Sequence, residues 1–422
     1  MTALRSAGTR TFRSLRIRNY RLFFFGQLVS VTGTWMQTVA QTWLVLSLTG
    51  SGVDLGITVA LQFLPMLLFG LWGGLLADRS DKRKLLIGTQ VAGGLLALVL
   101  YGLVVTDSVE LWMVYGMAFL LGVVTMIDMP TRQSFVTEMV GPDEVPNAVG
   151  LNSAMFNTGR ILGPAAAGIT IASLGIAPAF LANALSYLAV IAALVAMRTD
   201  ELFRRERPAR RRGEVRAGLR YAWADATLRS TLLLVAVLGM FGFNFIVLLP
   251  LLARFTFDGG AGLYSVFTAL MSLGSLVGAL IAASRARPTR TLLLGSGIAF
   301  GVLMLATSAA PTAWLTGVLL VGVGLSVMLF LATANTTLQL HSDPAMRGRV
   351  MALYGLLFLG STPLGGPLLG WVSEAWGPRV GLALGGAFSL AAAVAAASGI
   401  RIRRARRSRA GTEEPSEVGV AA

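Results

Sequence analysis

The sequence predicts an all-α membrane protein, with twelve transmembrane helices in two pseudo-symmetric six-helix bundles. Three observations lead there. Only 13% of the 422 residues are charged and 55% are hydrophobic, with mean hydropathy +0.71, whereas a soluble domain carries about 25% charged residues. Apolar stretches of about 20 residues, enough to cross about 30 Å of hydrocarbon, recur along the whole chain. The basic residues gather in alternate gaps between those stretches, the pattern that orients a multi-pass protein. Length alone would suit two or three soluble domains; the composition excludes them.

Taken in order, the first six spans fall at 22–48, 55–77, 85–105, 111–127, 145–174 and 178–197. The second six fall at 232–255, 264–284, 291–309, 314–334, 349–371 and 380–400. The chain thus divides into an N-terminal arm (1–21), a first bundle (22–197), a linker (198–226), a second bundle (227–400) and a tail (401–422) expected to be disordered. With the arm placed in the cytoplasm, all but three of the 35 Lys and Arg residues fall in cytoplasmic segments; the exceptions are Arg160, Arg254 and Arg379. The opposite turns at 49–54, 106–110 and 257–262 hold no Lys or Arg. Both termini are therefore predicted cytoplasmic, and the formal charge of +15 is a topology signal rather than a nucleic-acid footprint. The apolar run after the basic start outlasts a signal peptide, so the first span is expected to remain. In the linker, a charge run at 204–212 precedes Val215, Leu219, Ala222 and Trp223, which recur at helical spacing opposite Arg216 and Arg220. That pattern predicts a short helix lying on the inner leaflet.

Zero Cys and a single His (His341) leave no thiolate metal site, no His cluster and no Ser-His-Asp triad; no metal or cofactor is implied. The halves repeat. Arg83-Lys-Leu-Leu-Ile-Gly-Thr opens the third span and Arg290-Thr-Leu-Leu-Leu-Gly-Ser opens the ninth, while Gly163-Pro164 in the fifth is answered by Gly366-Pro367 in the eleventh. Two parallel six-helix repeats suit a carrier in which one bundle rocks against the other.

The turn after the second span reads Gly73-Gly74-Leu-Leu-Ala-Asp78-Arg79-Ser-Asp81-Lys82-Arg83-Lys84. Gly73 and Gly74 let a neighbouring helix approach. Asp78 ends its helix, where the dipole disfavours an anion, so it is expected to seek a partner and latch two helices. Gly74, Asp78, Arg79, Lys82, Arg83 and Lys84 form the candidate gating loop. This loop resembles the Gly-x-x-x-Asp-Arg signature of the major facilitator superfamily, with Asp81 where that family usually has Gly; Asp tolerates a left-handed turn. The second-half loop keeps Arg285, Arg287 and Arg290 but has Ala282 and Ala283 in place of the acid, so no second latch is expected.

The fifth span carries Gly150, Gly159, Gly163, Pro164, Ala167 and Gly168. The glycines are expected to stack one side of the helix for tight packing, and Pro164 to kink it. The series resembles the superfamily's antiporter motif, characteristic of exporters. The stretches Asp128-Met-Pro-Thr-Arg132-Gln133-Ser-Phe135, Asn147-Ala148, Leu151-Asn152-Ser153 and Phe156-Asn157-x-x-Arg160 resemble the bacterial drug and siderophore exporter branch, with its enterobactin exporter and macrolide efflux pumps. The resemblance implies efflux of an amphipathic small molecule from the bacterial cytoplasmic membrane by alternating access, against protons, by a monomer. Many proton-coupled relatives carry an Arg within the fourth span, where Ala118 stands here.

Gln27, Ser30, Thr34, Gln37 and Gln41 lie on one stripe of the first span, and a polar stripe must face the bundle interior or a water-filled cavity. With Asn157, Arg160, Asn244, Asn335 and Tyr354 they make the candidate cavity set. Arg160 is an intramembrane cation, which costs from about 2.5 kcal/mol upward and marks function by default. It would meet either an anionic substrate or coupling carboxylate, or a boundary acid such as Asp54. The candidate coupling acids are Asp54 and Asp128, placed like Glu374 at span ends; Asp128 would equally pair with Arg132 four residues on. An importer or lipid flippase of the same fold is the alternative. A membrane enzyme would need paired acids for Mg²⁺ within a span, and none is there; a sensor or scaffold would have no solute cavity.

Overall fold

In hydrocarbon the backbone must satisfy its own hydrogen bonds, so apolar runs of this length become helices. The computed structural model describes residues 12–203, 214–285 and 288–410, and every regular element among them is helical. In chain order these are α1 (Arg18–Thr49), α2 (Gly52–Arg79), α3 (Lys82–Val105), α4 (Leu111–Val140), α5 (Val145–Leu174), α6 (Ala177–Val195) and α7 (Glu214–Ala224). Then come α8 (Ala226–Val237), α9 (Phe245–Phe257), α10 (Ala261–Ser284), α11 (Arg290–Ala309), α12 (Ala313–His341), α13 (Pro344–Leu359), α14 (Thr362–Trp376) and α15 (Pro378–Ala410). Ten stretches among the described residues are long and apolar enough to cross a membrane. With α1 and α5, which are 32 and 30 residues long, the architecture is consistent with twelve crossings.

Local sequence sets the ends. Gly50 closes α1 at φ 66°, and the Ser51 hydroxyl caps α2 by accepting from the Asp54 amide. Asp225 caps α8 and Thr289 caps α11 in the same way. In the first bundle α1 packs on α5 and α6, α2 on α4, and α3 on α4 and α6; in the second, α12 packs on α10 and α11, and α11 on α15. The bundles meet where α14 lies along α2 and α10 along α5. Small residues permit this closeness: a side-chain carbon on Gly274 or Gly324 would overlap the backbone of the facing helix in the α10–α12 pair.

Three elements differ from the sequence expectation. The fourth span does not stop at 127; α4 continues to Val140, because its polar end finds partners inside the bundle, among them Lys82 for Glu138. Asp128 therefore sits well inside a helix rather than at its end. The seventh span is two helices, α8 and α9, joined by a π turn at Leu238–Gly242 and non-helical Phe243 and Asn244. The eleventh is likewise divided, α13 ending at Leu359 and α14 starting at Thr362.

The linker helix α7 packs on α13, with Ala222 fully buried and Gly218 against Arg349, while Leu219 and Trp223 face outward, about half exposed. The side chains of Val215 and Arg216, the charge run at 204–212 and the tail beyond Ala410 lie outside the described residues, and so does the expectation of disorder for 411–422; up to Ala410 the chain is helical.

Candidate functional site

The polar stripe of α1 turns into the first bundle. Gln27, Ser30, Gln37 and Gln41 are buried. Asn183 on α6 donates to Gln37 Oε1 at 2.6 Å, and Tyr187 lines the same cleft as Thr34 and Asn183. Thr34, Gln37 and Gln41 line a polar cleft with Thr58 and Gln62 of α2, and Ile246 reaches it from the second bundle. Asn183 and Tyr187 were not legible as site residues, although polar groups in so apolar a span are themselves a signal.

Toward the other end of the same bundle lies a buried charge pair. Asp128 Oδ1 accepts from Thr89 Oγ1 and Gln90 Nε2, each at 2.8 Å, and Arg132 approaches Asp128 Oδ2 at 3.7 Å. Arg132 also donates to Gln27 Oε1 at 3.2 Å and stacks over Phe156 at 4.6 Å. The two coupling candidates are thus held quite differently. Asp54, at the start of α2, accepts from the Tyr115 hydroxyl at 2.9 Å.

Arg160 lies between the bundles. Its guanidinium stands 5.5 Å from the Trp35 ring of α1 and 5.9 Å from the Phe243 ring of the broken seventh span. The suggested partner Asp54 is not there, being taken by Tyr115, and among the described residues Arg160 forms no ion pair. Cation–π contacts contribute about 0.5–2 kcal/mol each, comparable with the lowest figures for the cost of an intramembrane cation, about 2.5 kcal/mol. From Phe243 an aromatic row continues through Phe358 at 4.9 Å to Tyr354 at 6.2 Å, centroid to centroid. Asn335 Oδ1, on α12, accepts from Gln339 Nε2 at 2.6 Å. Arg160 therefore stands at one end of a row of rings that reaches Tyr354 at the other, with Trp35, Phe243 and Phe358 as members the sequence did not mark, while among the described residues no contact brings Asn335 to Arg160.

Two cavity candidates have other occupations. Asn157 donates to the Ser153 carbonyl of its own helix at 2.9 Å. Asn244 is buried at the break, its amide donating to the Met240 carbonyl at 2.7 Å and to Gly239 at 3.4 Å. It satisfies carbonyls that the interrupted helix leaves without donors.

The glycine motif of α5 divides by partner. A carbon added at Gly163 would lie 2.6 Å from the Thr32 carbonyl, one at Gly159 2.7 Å from Val31, and one at Gly168 2.7 Å from Ser265 of α10 in the other bundle. Pro164 is buried, and α5 runs as one helix through it. Gly150 faces open space, so the expected packing role does not hold there; no helix passes over it. The loop behaves similarly. Gly73 meets the Met126 backbone, but Gly74 faces open space. Asp78 and Arg79 are exposed at the end of α2. Lys82 pairs with Glu138, Arg83 donates to the Leu194 carbonyl at 2.6 Å, and exposed Lys84 gives its amide to Asp81. Asp81 is extended, at φ −66°, and caps α3; the left-handed turn expected of it does not occur, since the capping bond needs extended backbone. In the matching loop Arg285 is exposed, and Arg287 lies outside the described residues.

A seam joins the bundles at the end that carries Ser51 and Glu374. Gly56 faces the Gly366 carbonyl and Pro367, Gly52 faces the Gly370 carbonyl, and Glu374 accepts from Ser51 Oγ at 2.7 Å and the Val53 amide at 3.1 Å. Arg254 adds a bond to the Leu46 carbonyl at 2.7 Å.

Comparison with known proteins agrees with this geometry. Residues 9–417 match the family described as transmembrane secretion effector. The chain is 27% identical to the multidrug efflux pump Tap of Mycolicibacterium fortuitum over 84% of its own length and 89% of Tap. It is 24% identical to macrolide efflux protein A of Streptococcus pyogenes, over 83% and 89% of the two chains. A shorter match, 25% identical, covers 62% of this chain and 66% of the staphyloferrin A transporter of Staphylococcus aureus. In fold, the chain resembles a bacterial homologue of the human lysosomal transporter Spinster, solved inward-facing and unoccupied, with TM-score 0.69, 15% identity and coverage of 90% and 94%. The nucleoside transporter NupG gives TM-score 0.69 at 15% identity, covering 91% and 98%.

Proposed function

The chain belongs to the transmembrane secretion effector family of major facilitator transporters, and from that premise we propose that it exports an amphipathic small molecule across the bacterial cytoplasmic membrane by alternating access, coupled to proton entry. It is a membrane transporter rather than an enzyme. The observation that carries the proposal is the seam, where Gly52 and Gly56, at the start of α2 in one bundle, meet Gly370 and Gly366 of α14 in the other. Such a seam is a gate: closed here, it separates under a rocking motion while the opposite end closes. With both termini cytoplasmic, as the basic residues argue, the seam faces outside and this conformation opens inward.

Export is favoured over import by the efflux named for Tap and macrolide efflux protein A. The loop at Gly73–Lys84 acts in this scheme as the cytoplasmic latch through Asp78. Asp128 serves as the coupling acid, because its burial beside Arg132, Thr89 and Gln90 suits a carboxylate whose protonation would loosen one ion pair and two hydrogen bonds. Asp54, tied to Tyr115 beside the seam, belongs to the gate.

Everted membrane vesicles containing the full chain test the reading. The uncharged amphiphile phenylnaphthylamine, which an acid lumen does not trap, is expected to accumulate inside them, beyond vesicles lacking the protein, when a proton gradient, acid inside, is imposed, and a protonophore is expected to abolish the accumulation. Gradient-dependent depletion from such vesicles would overturn export, and accumulation indifferent to the protonophore would overturn proton coupling.

A further inference from the structure

The acids nearest the membrane interior are all engaged. Asp54 accepts from Tyr115, Asp128 is held by Thr89, Gln90 and Arg132, and Glu374 accepts from Ser51 and Val53. Arg132 and Arg254 likewise have oxygen acceptors, Gln27 and the Leu46 carbonyl. Arg160 differs: among the described residues its guanidinium makes only ring contacts, with Trp35 and Phe243. A desolvated guanidinium flanked by aromatic faces keeps its planar fork of donors for an oxyanion. It also stands at the head of an aromatic row, Phe243 to Phe358 to Tyr354, contributed by the opposite bundle. Arg160, Trp35, Phe243, Tyr354 and Phe358 are all partly exposed, so the row is not a sealed core.

We infer that Arg160 receives the anionic head of the transported amphiphile, whose planar apolar body lies along Phe243, Phe358 and Tyr354. The inference deepens the export reading and rests on it. It assigns the substrate class, an aromatic or extended apolar carboxylate, sulfonate or phosphate, and gives that substrate a role between the bundles. Its head is held by the first bundle and its body by the second, so a bound molecule bridges the two parts that move relative to one another. A cationic amphiphile would place its charge against Arg160 and be disfavoured by repulsion in a low-dielectric setting.

Two dyes with one aromatic body, anilinonaphthalene sulfonate and the uncharged phenylnaphthylamine, isolate the contribution of the anionic group. Binding is measured by fluorescence to the full chain in nanodiscs, with empty nanodiscs as baseline. A charge-assisted contact predicts that the sulfonate binds roughly tenfold to a hundredfold more tightly than the neutral dye. Arg160→Gln is expected to erase that preference while leaving the neutral dye within about twofold, and Arg160→Lys to retain part of it. Tyr354→Ala is expected to weaken both dyes alike. Equal affinity of the two dyes for the unaltered protein, binding of neither, or a parallel loss of both in Arg160→Gln would overturn the inference. If Arg160→Gln fails to fold, Arg160→Lys decides, since an unchanged sulfonate preference in a protein without the planar fork refutes the bidentate role. The vesicle assay separates the two readings. Charge-selective binding without outward transport removes export alone; export of phenylnaphthylamine with charge-blind dye binding removes this inference alone.

Discussion

Gly56→Ala is the sharpest probe of the seam. A β-carbon there would lie 2.6 Å from both the Gly366 carbonyl oxygen and Pro367 Cα, where ordinary contact begins at 3.4 Å. Both neighbours are backbone, so relief requires α2 and α14 to separate by about 0.8 Å; overpacking of this kind costs about 1–3 kcal/mol. The cost falls only on the conformation in which the seam is closed. It should therefore shift the equilibrium away from that state by roughly 5- to 150-fold. The chain has no Cys, so a single reporter can be placed without background. Thr58 is 3% exposed, two residues along α2 from the seam. In a Thr58→Cys protein, Gly56→Ala should raise the labelling rate by an impermeant maleimide added from the seam side by at least about fivefold. Gly150→Ala, whose added carbon meets open space, should leave the rate unchanged. Labelling unaltered in a Gly56→Ala protein that elutes as a single folded species would refute the gate.

Three further outcomes are expected. Asn244→Ala strips the donor from the Met240 carbonyl at the break and should cost about 1–3 kcal/mol, seen as a lower thermal midpoint in detergent; an unchanged midpoint would mean water or another group serves the break equally well. Asp128→Asn keeps an oxygen for Thr89 and Gln90 but removes the charge facing Arg132. Gradient-driven phenylnaphthylamine transport should fall to background while downhill exchange persists, and full gradient-driven transport would remove Asp128 from coupling. Asp78→Asn should abolish transport with normal membrane expression, and near-normal rates in that variant would sink the latch.

Much of the fold was readable because a bilayer leaves few choices. The span at 145–174 coincides with α5, and those at 85–105 and 291–309 lie within α3 and α11. The breaks were not readable. The run Leu232–Phe255 stays apolar across Gly239, Gly242 and Asn244, and hydropathy does not register where a helix loses its register. The break coincides with a tertiary contact that hydropathy does not encode: a side-chain carbon on Gly365 of α14 would overlap the Met240 backbone, so α14 lies directly on the π turn. The site divided along the same line. Single polar residues such as Gln37 and Asp128 were visible against an apolar background, whereas Trp35, Phe243 and Phe358 resembled every other lipid-facing aromatic until the bundles placed them beside Arg160.

The repeat seen in the sequence gains a physical meaning in how α5 and α14 are used. Each carries a Gly-Pro pair, and each serves two neighbours at once. On one side α5 accepts α1 at Gly159 and Gly163, as α14 accepts the broken seventh span at Gly365. On the other, α5 crosses to α10 at Gly168, and α14 crosses to α2 at Gly366 and Gly370. A helix built this way links the packing of its own bundle to the contact between bundles, because a small residue brings each neighbour close on either side of it. The halves differ in the partner of that helix: α1 runs unbroken past Arg160, while the seventh span opens at Phe243 and Asn244. The rigid half supplies the cation and the interrupted half supplies the ring that faces it. An occupant of that junction would therefore act on α5, which crosses to α10, and, through the π turn, on α14, which crosses to α2 at the seam.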